Sequence, residues 1–130
     1  MASFAPRSPV PTSRTELHIP AAAIGPALAR AAVPSVLPPL EAARVADLQL
    51  LVSELIGDAV ERAGIPASED ILVTVSASEV SVRVEIVAGR RIPTPREGSW
   101  AALLLDRLAS AWGYDEERSP ARIWFEVPVR

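Results

Sequence analysis

Three carboxylates recur at helical spacing in the middle of the chain and are the first side chains that could do chemistry. Glu54 and Asp58 are four residues apart and Glu61 lies one turn further on, so a helix would bring Glu54 and Asp58 onto one face. Carboxylate oxygens are the ligands that Mg²⁺ prefers, and a carboxylate can also act as a general base. The pattern therefore fits a magnesium or acid–base site, and it equally fits a solvated helix face.

Arginines form a second candidate group, in a segment that also holds two glycines and two prolines. Residues 88–98 carry Arg90, Arg91 and Arg96 in this irregular context, which predicts a loop. Guanidinium groups pair well with phosphates and carboxylates. The loop could therefore meet an anion or an acidic partner surface, and a solvated loop is the alternative.

Several kinds of site are excluded by the residues that the chain lacks. It contains no cysteine and no lysine, and His18 is its only histidine, so a metal site or catalytic triad built on that histidine would lack partners. We expect His18 on a strand surface. Without lysine there is no ammonium to clamp a phosphate or to form a Schiff base.

Charge and hydropathy restrict the partners and the compartment. The net charge is −3, whereas nucleic-acid binding requires clustered cations. No apolar run approaches the roughly 18 residues that a bilayer span requires, and the absence of cysteine favours a reducing compartment. We expect a cytoplasmic protein that binds neither nucleic acid nor membrane.

The elements that would position these residues follow from periodicity and turn signals. Residues 1–14 are rich in Pro, Ser and Thr and predict a flexible tail, which leaves residues 15–130 as one domain. We predict helices over residues 21–32, 41–63 and 99–112, the last ending at Gly113, and strands over residues 16–20, 71–76, 80–87 and 122–129. This order favours an α+β two-layer sandwich, with a mixed, mostly antiparallel sheet covered by helices on one face.

Three tryptophans are spaced along the second half of the chain. Trp100, Trp112 and Trp124 are each expected to contribute to the core. Trp100 stands at the start of the last predicted helix, where it could instead be exposed as an anchor for a protein interface.

The sequence of the predicted helix at residues 51–63, LVSELIGDAVERA, resembles the first ATP-site box of the GHKL superfamily. It is most similar to that of the bacterial anti-sigma-factor serine kinases. The family's asparagine is replaced here by Asp58. The strings LASAWG at residues 108–113 and IWFEVP at residues 123–128 resemble the end of the same domain. The resemblance covers residues 15–130 and implies the histidine-kinase-like ATPase fold.

The resemblance implies a role for each residue of the nucleotide site. Glu54 would be the general base towards a serine hydroxyl, and Asp58 would hold Mg²⁺. Gly89 would be the glycine of the second box, whose adenine-binding aspartate is replaced by Val87. An apolar side chain cannot accept the hydrogen bond from adenine.

The third box of the family is a glycine-rich turn, and it corresponds here to Gly98, Ser99, Trp100 and Ala101. Ser99 and Ala101 stand where the family has glycines, and Trp100 adds bulk where a backbone cradle for phosphate needs room. Gly98, Ser99 and Ala101 are thus nucleotide-binding residues only if the altered pocket still works.

The resemblance, with its altered nucleotide positions, implies a regulatory protein that acts by protein–protein binding, in partner switching of the anti-sigma type, with an eroded ATP site. The expected partner is a sigma factor or an anti-sigma antagonist, and the chain is expected to form a homodimer like its relatives. No cofactor is expected unless the pocket still binds ATP and Mg²⁺. Two alternatives stay open: an active ATP-dependent serine kinase, and a structural subunit of a larger assembly.

Overall fold

The fold is known from a computed structural model, which describes residues 11–89 and 92–130. Within these two ranges five strands and three α-helices follow one another, with a 3-10 helix at Val33–Val36 after the first α-helix. In chain order they are β1 (Ser13–Pro20), α1 (Gly25–Ala32), α2 (Ala42–Arg62), β2 (Asp70–Ala77), β3 (Ser81–Ala88), α3 (Trp100–Leu108), β4 (Ala111–Asp115) and β5 (Arg122–Pro128).

The strands form one sheet in the order β1-β2-β3-β5-β4, and the helices cover one of its faces. The predicted α+β two-layer sandwich is therefore confirmed. The sheet was expected to be mixed, but every strand pair in the described part of the chain is antiparallel. β3 and β4 are both antiparallel to β5 and therefore run parallel to each other, joined through α3. Because β5 lies between them in the sheet, no two hydrogen-bonded neighbours are parallel.

Alternation along the strands explains where the core lies. In β3, Val82, Val84 and Ile86 are buried under the helices, whereas the residues between them are half-buried on the other face. The helices contribute residues at spacings of three and four, and α2 buries Leu48, Leu51, Val52, Ser53, Leu55, Ile56 and Ala59. Among the residues that the structure describes, Phe125, in β5, is the largest fully buried side chain.

The helix predicted over residues 99–112 is too long, and its last part belongs to a strand that the sequence did not reveal. The helix ends at Leu108, and residues 111–115 form β4 at the edge of the sheet. Ser110 N–H donates to the carbonyl of Glu126 at 2.8 Å, so the chain turns into the sheet directly after the helix. Strand pairing with β5 therefore overrides the helical spacing of the apolar residues in this segment. Gly113 lies within a strand and does not end a helix.

The bounds predicted for the tail and for two strands differ slightly from those in the structure. β1 is an edge strand as predicted, but it begins at Ser13, so Ser13 and Arg14 belong to the sheet and not to the tail. The rest of the predicted tail, up to residue 10, lies outside the described residues. β3 runs from Ser81 to Ala88, one residue later at each end than expected.

The face of the sheet away from the helices carries a network of paired charges. Arg122 binds Glu85 at 2.9 Å, and Arg83 contacts Glu126 at 3.2 Å. The Arg83 guanidinium also stacks over the indole of Trp124, with its carbon 4.2 Å from the ring centroid. Trp124, expected in the core, is thus half-buried on the polar face.

None of the helices in the described ranges is long and apolar enough to span a lipid bilayer.

Candidate functional site

The second half of α2 carries the predicted carboxylates, and the structure shows that they are not equivalent. Glu54 and Asp58 are both half-buried and one turn apart, whereas Glu61 is exposed. Asp58 Oδ2 accepts a hydrogen bond from Arg62 Nη1 at 2.7 Å, with both side chains about four-fifths buried. Within residues 11–89 and 92–130, Glu54 has no hydrogen bond or ion pair from its side chain.

The pairing determines what these carboxylates can hold. No group of three or more Asp, Glu or His side chains in the described part of the chain is placed to bind a metal. Mg²⁺ is often held by one or two carboxylates together with phosphate oxygens and water. Asp58 could take part in such a site only by exchanging the Arg62 guanidinium for the metal.

Arg62 also holds the loop that follows β3. Its Nη2 donates to the carbonyl of Thr94 at 3.1 Å, so one guanidinium bridges α2 and the loop. We call the unit of Asp58, Arg62 and Thr94 the latch. Charge-assisted hydrogen bonds of this kind are about twice as strong as neutral ones, and the latch therefore fixes the loop against the helix at the place where the sequence predicted a nucleotide.

Further contacts secure the same loop. Ile92 and Pro95 are buried, and the Tyr114 hydroxyl of β4 donates to the carbonyl of Ile92 at 2.5 Å. The loop is thus attached both to α2 and to the edge of the sheet. Of its predicted arginines, Arg96 is exposed, and Arg90 and Arg91 lie outside the described residues.

The end of β3 requires a correction to the position assigned to the adenine-binding acid. Val87 pairs with Leu72 and lies on the face of the sheet away from α2. The residue on the helix-covered face is Ala88, which is 4% exposed. The side chain nearest to a nucleotide in this layer would therefore be a methyl group, and neither residue can accept a hydrogen bond from adenine.

Gly89 follows Ala88 and borders an open cavity of about 360 Å³, which is also lined by the loop between β4 and β5, residues 116–121. A Cβ atom at Gly89 would meet nothing within 4 Å. Neither Glu54 nor Asp58 lines this cavity. Within the part of the chain that the structure describes, this cavity therefore does not bring Gly89 together with the α2 carboxylates.

The start of α3 is a regular capped helix. Ser99 Oγ accepts a hydrogen bond from the Ala102 N–H at 3.1 Å, and Gly98 precedes it with a positive φ of 78°, a conformation that glycine adopts without strain. Ala101 is buried. The serine therefore satisfies an amide that a phosphate would need, and it does so in the way typical of helix N-termini.

Trp100 is exposed at the start of α3. The residue is 57% exposed, so the expectation of a core residue is wrong and the alternative of an exposed tryptophan is the one observed. Trp112 is half-buried against the core, and its Nε1 donates to Asp106 at 2.9 Å. His18 lies on β1 with an exposed side chain, 3.9 Å from Asp70, as expected for a strand surface.

Arg62 is the residue that the sequence analysis missed. Asp58 and Arg62 are four residues apart, and opposite charges at this spacing attract each other on a helix, so the pair could have been found from the sequence. The contact with Thr94 could not, because it joins positions separated by 32 residues and two strands.

Removing the Arg62 guanidinium is expected to loosen the loop. Arg62→Ala leaves the Thr94 carbonyl and the Asp58 carboxylate without their donor, at a cost of about 1 kcal/mol. Amide hydrogen exchange over residues 92–99 should become about fivefold faster, while exchange in β2 and β3 is unchanged. Arg107→Ala is the control, since Arg107 is exposed and no ion pair is seen for it among the described residues. Equal exchange in wild type and Arg62→Ala would show that the latch does not hold the loop.

Comparison with known proteins shows a likeness of fold. No family model matches the sequence, and no curated protein matches it. The chain is similar to the crystal structure of the RsbU and RsbW domains of Rv1364c from Mycobacterium tuberculosis, with a TM-score of 0.65 and 19% sequence identity. The match covers 92% of this chain and 34% of that one, so the chain spans about a third of the length of the protein that it resembles.

Proposed function

We propose that this chain is a regulatory protein that acts by binding other proteins, in partner switching of the anti-sigma type, and that its nucleotide site is eroded. The observation that carries the proposal is the latch. The carboxylate that would hold Mg²⁺ is bound by Arg62 at 2.7 Å, and the same guanidinium holds the following loop through Thr94. The space that a nucleotide would need is thereby bordered by groups that already satisfy each other.

The chemistry of the adjoining positions supports the same proposal. Ala88 offers no acceptor to adenine, and the Ser99 hydroxyl occupies the amide of Ala102 at the start of α3. A site that must discriminate adenine needs buried polar groups that the base satisfies. The likeness of fold to a structure that contains an RsbW domain supports the kind of regulator. A sigma factor or an anti-sigma antagonist is the proposed partner, and a second copy of the chain is the proposed partner in a homodimer.

An active serine kinase is retained as a second candidate because of Glu54. This carboxylate is half-buried, and within the described residues nothing binds it. A free carboxylate next to a bound nucleotide could take the proton from a serine hydroxyl. Such a kinase would require the latch to open, so that Asp58 exchanges Arg62 for Mg²⁺.

Calorimetric titration with ATP and Mg²⁺ separates the two candidates. For the eroded site we expect no saturable heat up to millimolar nucleotide, because binding would have to break the Asp58–Arg62 pair without gaining an adenine contact. Asp58→Ala and Arg62→Ala should behave in the same way as wild type, with circular dichroism confirming that both variants are folded.

Saturable binding of ATP–Mg²⁺ would support the kinase instead. Micromolar affinity for ATP–Mg²⁺ that weakens at least about tenfold on Asp58→Ala, the loss of a charge-assisted contact, would overturn the eroded site. Phosphate transfer to a serine peptide that disappears on Glu54→Gln would then establish the kinase.

A further inference from the structure

The outer face of α3 presents apolar side chains to solvent. Trp100 is 57% exposed and Leu103 is 41% exposed. They are three residues apart and Arg107 is four residues beyond Leu103, so all three lie side by side on one face of the helix. We call these three residues the α3 stripe. The opposite face of the helix, with Ala101, Leu104 and Leu105, is buried.

Both ends of the helix are held in place, so the stripe is rigid. At the start, Ser99 caps the helix through Ala102, and the preceding loop is fixed by the latch. Near the end, Asp106 accepts the indole hydrogen of Trp112 from β4 at 2.9 Å. A surface whose backbone is already ordered loses little conformational entropy on binding.

Single exposed apolar side chains are ordinary on protein surfaces. The α3 stripe differs because a tryptophan and a leucine are adjacent, and tryptophan is among the residues most enriched at the energetic centres of interfaces. The proposed function requires no exposed tryptophan, and burial within the chain does not account for this one. A partner that covers Trp100 would account for it.

The charges beside the stripe indicate the chemistry of that partner. Arg107, within the stripe, and Arg96, four residues before Trp100, are both exposed, and neither side chain has a hydrogen bond or ion pair with any described residue. The carboxylate of Asp106 is turned towards Trp112. Glu97 precedes the helix, where a negative charge is favoured by the helix dipole. Both cations are thus available to a partner's carboxylates.

We propose that the α3 stripe binds an acidic amphipathic helix of a partner protein. Its apolar residues would cover Trp100 and Leu103, and its carboxylates would pair with Arg107 and Arg96. This inference rests on the proposed function in one respect, namely that the protein works by binding other proteins. It assigns the surface and the chemical class of the partner segment.

A synthetic helical peptide tests the proposal on the intact chain. The probe carries leucines at every third and fourth position and glutamates on both flanks, and it contains no aromatic residue. Burial of Trp100 should shift the tryptophan emission to shorter wavelength and reduce its quenching by acrylamide, with saturation at micromolar peptide. In calorimetry, which does not depend on the fluorescence of Trp100, Trp100→Ala should raise the Kd at least about tenfold, as expected for a central aromatic anchor.

Two matched comparisons make the result specific. Leu103→Ala should weaken binding, whereas Leu28→Ala should not, although Leu28 on α1 is equally exposed at 43%. Arg107→Glu should weaken binding of the glutamate peptide, and a peptide with lysine in place of glutamate should recover it, because the attraction is between opposite charges. All four positions are exposed, so the variants are expected to stay folded.

Three outcomes would overturn the proposal: no saturable fluorescence change, equal affinity in wild type and Trp100→Ala, or affinity that falls with Leu28→Ala and not with Leu103→Ala. The failure of the proposed function has a separate readout, since it is seen as micromolar binding of ATP–Mg²⁺ in calorimetry. If the chain binds neither nucleotide nor the peptide, the proposal of an eroded site stands and only the proposal for the α3 stripe is contradicted.

Discussion

Phe125→Ala is expected to lower the free energy of unfolding by about 3–5 kcal/mol, the range for truncation of a fully buried aromatic residue. Phe125 is 0% exposed and lies in β5, with β3 on one side and β4 on the other. Its partners across the strands are Val84 and Trp112. Truncation would leave a cavity next to Val84 and Trp112, because the close-packed sheet cannot collapse to fill it.

Urea denaturation followed by far-UV circular dichroism measures this loss. A domain of this size has a total stability of only about 5–15 kcal/mol, so the variant should unfold at a much lower urea concentration. Trp100→Ala is the matched control, since it removes an exposed aromatic side chain and should change the stability by less than about 0.5 kcal/mol. Similar losses for the two variants would contradict the assignment of Phe125 to the core.

Much of the architecture could be predicted because single elements carry their own periodicity. Apolar residues at spacings of three and four in α2, and alternation of valine with charged residues in β3, reflect burial on one side only. The edge position of β1 could also be predicted, from its short sequence of partly alternating apolar residues and from its terminal proline. In each case the local pattern and the tertiary environment agree.

The junction between α3 and β4 could not be predicted in this way. Leu108 and Trp112 fit one helical face by spacing alone, but Trp112 reaches the core from a strand. What decides between the two is the hydrogen bonding of Ser110 and β4 with β5, which lies 16 residues away from Ser110. Information of this kind is not local, so no periodicity within residues 99–112 could have contained it.

The candidate site shows the same division. The Asp58–Arg62 pair is local and could be inferred from spacing, and strand alternation could have placed Ala88 on the face of Val84 and Ile86. The closure of the loop by Arg62 and Tyr114 depends on two distant contacts. The resemblance in sequence predicts which residues would stand at nucleotide positions, whereas only the structure shows that Asp58 pairs with Arg62 and that Ser99 caps α3.

The tryptophan–glycine signature of the C-terminal half has a physical basis that a substitution can test. Gly113 pairs with Trp124 across β4 and β5, and a Cβ atom at Gly113 would lie 2.9 Å from three atoms of the indole ring. The glycine is therefore required by the close approach of Trp124. Gly113→Val forces the indole or the edge strand to move, and we expect it to cost about 1–3 kcal/mol of stability.

A double-mutant cycle distinguishes this contact from a general intolerance of β4 to substitution. Trp124→Ala by itself loses the packing over Gly113 and the contact with Arg83, but it also removes the obstacle to a larger side chain. Urea denaturation gives the loss of unfolding free energy for the two single variants and for the double variant. The loss in the double variant should be smaller than the sum of the two single losses, by about 1 kcal/mol or more. Strict additivity would mean that valine at position 113 is rejected by the strand and not by the indole. Positive coupling would establish that Gly113 and Trp124 act as one packing unit that holds β4 against β5.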